Sequence, residues 1–419
     1  MNHLNLFHPF EGRELHHEDV LTRNFLLLLK NIPLVQVGFF EMIRDYLSSK
    51  GIPLESIAKG DLKLSEIYTQ VDSNDKLFNN LSDVTMLSIV ISDDAFEANH
   101  TVVHSDRHAR YDGVVFCSPS WVFIIENKPS VVNIWEDQLN PNISGSPDIH
   151  LIKEPCALSW RDILSFLNAL LSGNLLTPLE SSMVNDFIEY VDENYSWLNP
   201  YQSFVLCKSN KYLLDRRCCA ILKSYRNDLV VKYRKGWKHY IDIGDSCVQN
   251  IALDSSFDDT GCWSINLWMY TGNVMRSARA TYAQLNVDRL LELAKNDPHL
   301  QISSDLHFSF RSSNLFWPTC SVDIQTYLQY WKGQNLRQIK RDEFESYFRT
   351  LIKDGIVDPD DYDRFYEQII SKSYPTLNIC PGFLIKYTWN QREAIALDNN
   401  KTFDATFRNT VNTILDSLG

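Results

Sequence analysis

Tyr111-Asp112-Gly113-Val114-Val115-Phe116-Cys117-Ser118-Pro119-Ser120-Trp121-Val122-Phe123-Ile124-Ile125-Glu126-Asn127-Lys128 reads as a β-hairpin carrying three charged residues toward one place. Val114 to Phe116 and Trp121 to Ile125 are β-branched, aromatic or apolar, and Ser118-Pro119-Ser120 is a turn signal. A turn centred on Pro119 makes the numbers of opposed residues sum to about 238, so Asp112 stands opposite Glu126. Opposed residues of an antiparallel pair lie roughly 4.5–5.5 Å apart. Side chains alternate along a strand, so Glu126 and Lys128 share a face. Two carboxylates and one ammonium then meet at the end of a strand apolar enough to be buried.

Two readings fit such a cluster. Strand ends often carry charge, and an Asp opposite a Glu with a Lys nearby can be a solvated rim. Like charges directly opposite one another are destabilising, however, and a divalent cation relieves them. Hard cations such as Mg²⁺ take oxygen ligands from one or two carboxylates together with a substrate phosphate. A lysine beside that cation suits a developing phosphoryl charge or an attacking water.

The rest of the chain limits what this site can belong to. At 419 residues it has room for two or three domains with cores of their own. An apolar fraction of 44% and a charged fraction of 22% are those of a water-soluble globular protein. The start, Met1-Asn2-His3-Leu4-Asn5-Leu6, lacks the pattern of a secretory signal, and no apolar run is long enough to span a bilayer. Nine scattered Cys with no C-x-x-C argue against a structural zinc and for free thiols in a reducing cytosol. No Gly-rich phosphate loop and no Gly-x-Ser-x-Gly occurs, which disfavours ATP-driven chemistry and a nucleophile-elbow hydrolase. His16-His17 and the His100, His104, His108 series are read as ordinary surface residues.

Charge is unevenly spread within the net −13. Residues 1–200 hold 28 acidic and 13 basic residues, and residues 201–419 hold 25 and 27. The basic excess is concentrated at 208–238, where Arg216, Arg217, Lys223, Arg226, Lys232, Arg234 and Lys235 alternate with Tyr212, Tyr225, Tyr233 and Trp237. Bases interleaved with aromatics suit phosphate contact and base stacking. A solvated helix face, or a basic surface docked on the acidic half, is the competing reading.

Periodicity predicts helices at 15–30, 36–49, 159–172 and 178–195, strands at 85–91 and 149–152 around the hairpin, and a short helix at 131–139. Residues 52–80 read as loop-rich. Glu18 falls on the apolar stripe of Leu21, Phe25 and Leu28, where a carboxylate is costly without a partner. Ser159 and Asp162 form a capping-box variant, and Gly173 a helix stop. This order predicts a three-layer α/β domain with a mixed central sheet over 1–195. Residues 196–419 read as an α+β accessory domain, with strands at 201–207, 239–243, 263–270 and 305–311. Helices are expected there at 213–225, 284–295, 323–332, 342–353, 360–371 and 403–418, with a late hairpin over 379–397.

A helix Glu, an Asp-Gly opening one strand, Glu-Asn-Lys closing the next and a Gln beyond it together resemble the PD-(D/E)XK nuclease superfamily. The pattern stands as Glu18, Asp112, Glu126-Asn127-Lys128 and Gln138 in Glu136-Asp137-Gln138-Leu139. It spans about residues 1–170, and Leu158-Ser159-Trp160-Arg161-Asp162 looks like the Trp-bearing helix of some bacterial members. Tyr111 stands where the pattern has Pro, and Asn140-Pro141 cuts short the helix that carries Gln138. The second half carries no such resemblance.

The resemblance implies a restriction-endonuclease-like core and metal-dependent hydrolysis of phosphodiester bonds. Asp112 and Glu126 would hold Mg²⁺ or Mn²⁺ with the Asn127 carbonyl, and Glu18 would complete the acidic cluster. Lys128 would orient or deprotonate the attacking water, and Gln138 would belong to the same catalytic set. The expected substrate is nucleic acid, DNA favoured over RNA, with a protein partner or a second copy of the chain as further associates and no membrane. A bacterial restriction or antiphage setting follows by family analogy alone. The alternative is a nuclease-fold protein without catalysis that binds nucleic acid or assembles a complex.

Overall fold

The computed structural model describes residues 6–7, 18–52, 62–79, 81, 83–93, 102–103, 109–118, 120–128, 134–139, 149–234, 236, 238–245, 247–311 and 313–419, with the backbone alone at 18, 102–103 and 134–137. The two histidine groups, Lys235 and Trp237 lie outside these residues. The chain divides into two compact units, Met1–Gln202 and Ser203–Gly419. Both are mixed α/β.

In the first unit α1 (Glu18–Asn31) and α2 (Pro33–Ser49) lead into β1 (Lys63–Asp72), β2 (Val84–Ser92), β3 (Val102–Val103), β4 (Arg110–Ser118) and β5 (Trp121–Lys128). There follow β6 (Ile134–Trp135), α3 (Glu136–Leu139), β7 (Ile149–Ser159), α4 (Trp160–Ser172) and α5 (Pro178–Asn194). Five strands form one sheet in the order β1-β4-β5-β2-β7. β1, β4 and β5 pair antiparallel, whereas β5, β2 and β7 run parallel, so the sheet is mixed. The hairpin register is the expected one: Gly113 faces Ile125 and Cys117 faces Trp121.

One face of the sheet, with Leu87, Ile89, Val115, Phe123, Ile125 and Leu158, packs under α1, α2, α4 and α5. The other face buries Met86, Tyr111, Val114, Val122 and Ile124 with Phe78, and Leu139 of α3 packs on Val90. The three expected layers are therefore unequal. All four long helices lie on one side, and only short elements are described on the other.

Local chemistry explains the helix limits. Pro33 restarts the chain as α2 immediately after α1, since a proline is tolerated at the first helical position. Ser159 caps α4 by accepting the N–H of Asp162, and Ile163, Leu164, Leu167 and Leu170 form its buried stripe. Thr177 and Glu180 make a full capping box on α5. The loop-rich reading of 52–80 is corrected by β1, a polar and largely exposed edge strand. The helix expected over 131–139 is reduced to β6 and the four residues of α3. Among the described residues no single helix is long and apolar enough to cross a membrane; α1 and α2 pass only as a pair bent by 112°.

The second unit contains α6 (Lys211–Tyr225), β8 (Lys232–Arg234), β9 (Lys238–Asp242), β10 (Val248–Phe257), β11 (Trp263–Thr271), α7 (Met275–Gln284), α8 (Val287–Asn296) and β12 (Leu300–Phe310). It continues with β13 (Ser313–Phe316), α9 (Ile324–Lys332), β14 (Ile339–Lys340), α10 (Phe344–Lys353), α11 (Tyr362–Phe365), β15 (Thr376–Asn390), α12 (Gln391–Asn399) and α13 (Phe403–Leu418). The sheet is antiparallel in the order β13-β12-β15-β11-β10-β9-β8, with β14 added on β15. Ile251, Leu253, Ile265, Leu267, Met269 and Ile385 alternate into the core. α6 docks on that face through Asp215, which accepts the Ser255 N–H and hydroxyl, and α7 through Tyr282 against Phe383.

The second unit differs from expectation in four places. Residues 201–207 form turns rather than a strand: Tyr201, Phe204 and Cys207 are buried at three-residue spacing. β10 had not been recognised. The helix expected over 284–295 stands as α8, and a further helix, α7, precedes it across the break at Leu285-Asn286. The late hairpin is one 15-residue strand followed by α12, because Asn390 and Glu393 form a capping box that starts a helix.

Candidate active site

The parallel strands β2, β5 and β7 end side by side, with Ser92 facing both Lys128 and Ser159. Carboxyl ends of parallel strands are where open α/β sheets place their ligands. Glu126, Asn127 and Lys128 stand at this end of the central strand.

Past Gly113 and Ile125 the β4–β5 pairing stops. There the Asp112 carboxylate accepts the backbone N–H of Asn127 at 2.8 Å, which ties Asp112 to the residue next to Glu126. Its other oxygen accepts from the Gln70 amide at 3.2 Å. Gly113 supplies room beside it: a Cβ there would lie 2.8 Å from the Leu26 side chain of α1 and 3.3 Å from Ile125. An Asp-Gly pair thus lets a helix press onto the strand one residue away from the Asp112 carboxylate.

Glu126 is 1% exposed and meets the Lys128 ammonium at 2.5 Å; Lys128 is 12% exposed. Both face the same side of the sheet as Val122 and Ile124, away from the four long helices. The Asn127 side chain points the opposite way and accepts from the Trp160 indole at 2.8 Å. Trp160, fully buried at the first position of α4, therefore fixes the residue between Glu126 and Lys128. These contacts fix the backbone and side chain of Asn127, between the two members of the buried pair.

Gln138 is buried on α3, and its amide approaches the Arg110 carbonyl at 3.5 Å, two residues before Asp112. It reaches the neighbourhood of the site through the backbone of β4. Glu18 opens α1, and its side chain lies outside the described residues. Among the described residues no group of three or more His, Cys, Asp or Glu side chains comes together.

Gln70 was not singled out from the sequence. Its φ of +58° lies in the left-handed region, a conformation costing roughly 1–2 kcal/mol for a residue with a Cβ. Backbone strain of this kind concentrates at functional sites. Gln70 sits between the Thr69–Gly113 and Val71–Tyr111 pairs, where it reaches Asp112. Its signal in the sequence was absent because β1 itself went unread.

The carboxylates of Asp112 and Glu126 and the carbonyl of Asn127 are hard oxygen donors, and their chemistry fits Mg²⁺ or Mn²⁺.

The basic residues expected to contact nucleic acid do not form one patch. Arg217 is turned inward: it pairs with the buried Asp398 at 2.5 Å, and Asp398 also accepts the Phe204 N–H. Its expected role as a surface contact is corrected accordingly. Arg216 lies over the Tyr212 ring, and Lys223 is exposed, both on α6. Arg226 pairs with Asp228 at 2.7 Å and Lys232 with Asp242 at 3.0 Å. Lys232 and Arg234 alternate with Tyr233, whose ring meets His239, so they point to the other side of the sheet from Tyr233.

No family model, no curated protein and no solved structure matches this chain.

Proposed function

We propose that the first unit is a metal-dependent nuclease with a restriction-endonuclease-like core, hydrolysing phosphodiester bonds, DNA favoured. The observation that carries this reading is the tie between Asp112 and the Asn127 N–H, beside the buried Glu126–Lys128 pair at the end of β5, the middle strand of the sheet. Asp112, Glu126 and the Asn127 carbonyl would hold Mg²⁺ or Mn²⁺. When bound, the metal supplies Lewis acidity and a more acidic water. Lys128 keeps its ammonium at the carboxylate edge of the site, where it orients a water and offsets the charge that grows on the phosphoryl oxygens. Gln70 and the Asn127 N–H fix the Asp112 carboxylate, and Trp160 fixes Asn127. Pre-positioned oxygens of this kind lower the reorganisation needed in the reaction.

The test has two readouts. Plasmid should be degraded with Mg²⁺ or Mn²⁺, spared in EDTA, and spared by Asp112→Asn, Glu126→Gln and Lys128→Ala. Either metal should also raise the melting temperature of the wild type and not of Asp112→Asn, since a ligand bound only by the folded state stabilises it. Wild-type cleavage by the three variants would end the assignment. A chain that binds DNA with steep salt dependence yet never cleaves would be the non-catalytic module instead.

A further inference from the structure

In the second unit the face of β8, β9 and β11 opposite α6 and α7 carries half-buried and exposed side chains among the described residues. Cross-strand partners place their side chains on the same side, so the register can be followed across the sheet. Lys232 faces Tyr240, Tyr240 faces Ala252, Ala252 faces Trp268 and Trp268 faces Lys386. One step along, Tyr270 faces Leu384 and Asn250. The intervening residues Ile241, Ile251, Leu253, Leu267, Met269 and Ile385 are the buried ones, and α6 and α7 pack on them. α9, α10 and α11 also lie on that side: Phe308 of β12 packs on Phe348 and Phe365, and α9 contacts β12 and α7. The opposite face keeps Tyr240, Trp268, Tyr270 and Lys386 half-buried, and Lys232 and Arg234 exposed.

An antiparallel sheet with one solvated face ordinarily shows small polar and β-branched residues there. This face instead carries three aromatic rings and three cations. Trp268 is held in one orientation. Its indole N–H donates to Asp254 at 3.0 Å, and Asn266 donates to the same oxygen at 3.2 Å. The Lys386 ammonium lies 5.0 Å from the centre of the Trp268 ring. The carboxylates on this face are held by its own residues: Asp254 by Trp268 and Asn266, and Asp242 by Lys232. Asp305, near the far edge, is pushed toward its neutral form by burial.

We propose that this face binds single-stranded nucleic acid, with bases stacked on Trp268 and Tyr270 and the backbone phosphates on Lys386 and Arg234. Flat aromatic surfaces with flanking cations accept any unpaired base, because every base has a π-face. A duplex keeps its bases stacked inside and can offer this face only its phosphates. The inference names the substrate form for the nuclease reading above and rests on it for that link, whereas the binding itself can be measured without any cleavage.

The experiment uses the full chain in EDTA, where metal-dependent cleavage cannot occur, and follows fluorescence anisotropy of labelled oligo(dT) and of a mixed-sequence strand alone and annealed. Single strands should bind more tightly than the duplex. Trp268→Ala and Lys386→Ala should each weaken binding by about tenfold or more, as loss of a stacked base or its phosphate contact does. Trp268→Phe keeps a stacking ring and should retain most of the binding, which separates stacking from a folding defect. Lys353→Ala on α10 removes an equal charge from the side away from this face and should change nothing. Equal affinity for single strand and duplex, or unaltered binding by both alanine variants, overturns the proposal. Binding that passes these tests in a chain that never cleaves with Mg²⁺ or Mn²⁺ overturns the nuclease reading alone.

Discussion

The central strands of the first unit's sheet, β5 and β2, are buried on both faces, whereas in the second unit the face of β8, β9 and β11 opposite α6 and α7 is partly exposed. In β5 the whole run from Trp121 to Ile125 is covered, so polar groups are confined to the strand end, where Glu126, Asn127 and Lys128 stand. In β11 every second residue reaches the open side, so Ser264, Asn266, Trp268 and Tyr270 are spread along its length. Chemistry in the first unit can sit only at a rim, and there it is fixed by buried contacts. The second unit offers an extended surface suited to holding something long. A doubly covered sheet makes a point site; a singly covered one makes a platform.

The sharpest way to break this contrast is at the strand end. Asp112→Asn should lower the cleavage rate by about a hundredfold or more, in keeping with the loss of an electrostatic group at a reacting centre. Burial gives the next largest effect. Phe123→Ala in the first unit should cost about 3–5 kcal/mol in a denaturant titration, while Ser303→Ala on the open face of the second should stay within about 0.5 kcal/mol. Equal costs would mean that both sheets are covered alike. Trp160→Phe keeps the ring in place and removes the donor to Asn127. Leaving that buried amide oxygen without its indole partner should cost about 1–3 kcal/mol and lower cleavage together with stability.

The smallest effect concerns pH and the second unit alone. Burial pushes His239 below its usual value, with Arg216, Lys223 and Lys238 acting the same way and Asp215 opposing them. The folded chain then holds His239 neutral, while the unfolded chain takes up a proton below about 6.5. Stability at this residue should therefore fall as pH drops through that range. His239→Asn should flatten the dependence of melting temperature on pH between 7.5 and about 5.5.

What could be read from the sequence follows the same division. The hairpin was legible because Ser118-Pro119-Ser120 is a turn signal in the sequence and the apolar runs mark the strands, whose register is the expected one over Gly113 to Cys117. α4 was legible from Ser159, Asp162 and Gly173. β1 was hidden, since Lys63 to Asp72 is an edge strand with few apolar side chains and a left-handed residue at Gln70. With β1 went the partner of Asp112. β10 was hidden because Asn250, Asp254 and Ser256 occupy its open side and break the apolar run. The segment at 201–207 misled in the opposite direction: Tyr201, Phe204 and Cys207 are buried by turns, not by a strand. The basic window was correctly seen as a composition, yet charge counts carry no facing information. Only the register separates Lys232 and Arg234 from the residues on α6.

β7 ends the first sheet, and among the described residues it pairs with β2 alone. Midway along it the pairing slips between Leu87 and Ile89, opposite Lys153, Glu154 and Pro155. Proline has no N–H to offer a newcomer, the slip bends the strand, and Lys153 and Glu154 keep it wetted, with Glu154 held toward Lys50 at 3.6 Å. The slip in β7 is thus a safeguard against self-association. It lets the unit carry one of its most apolar strands, β2, a single strand away from solvent without inviting other chains to extend the sheet into aggregates.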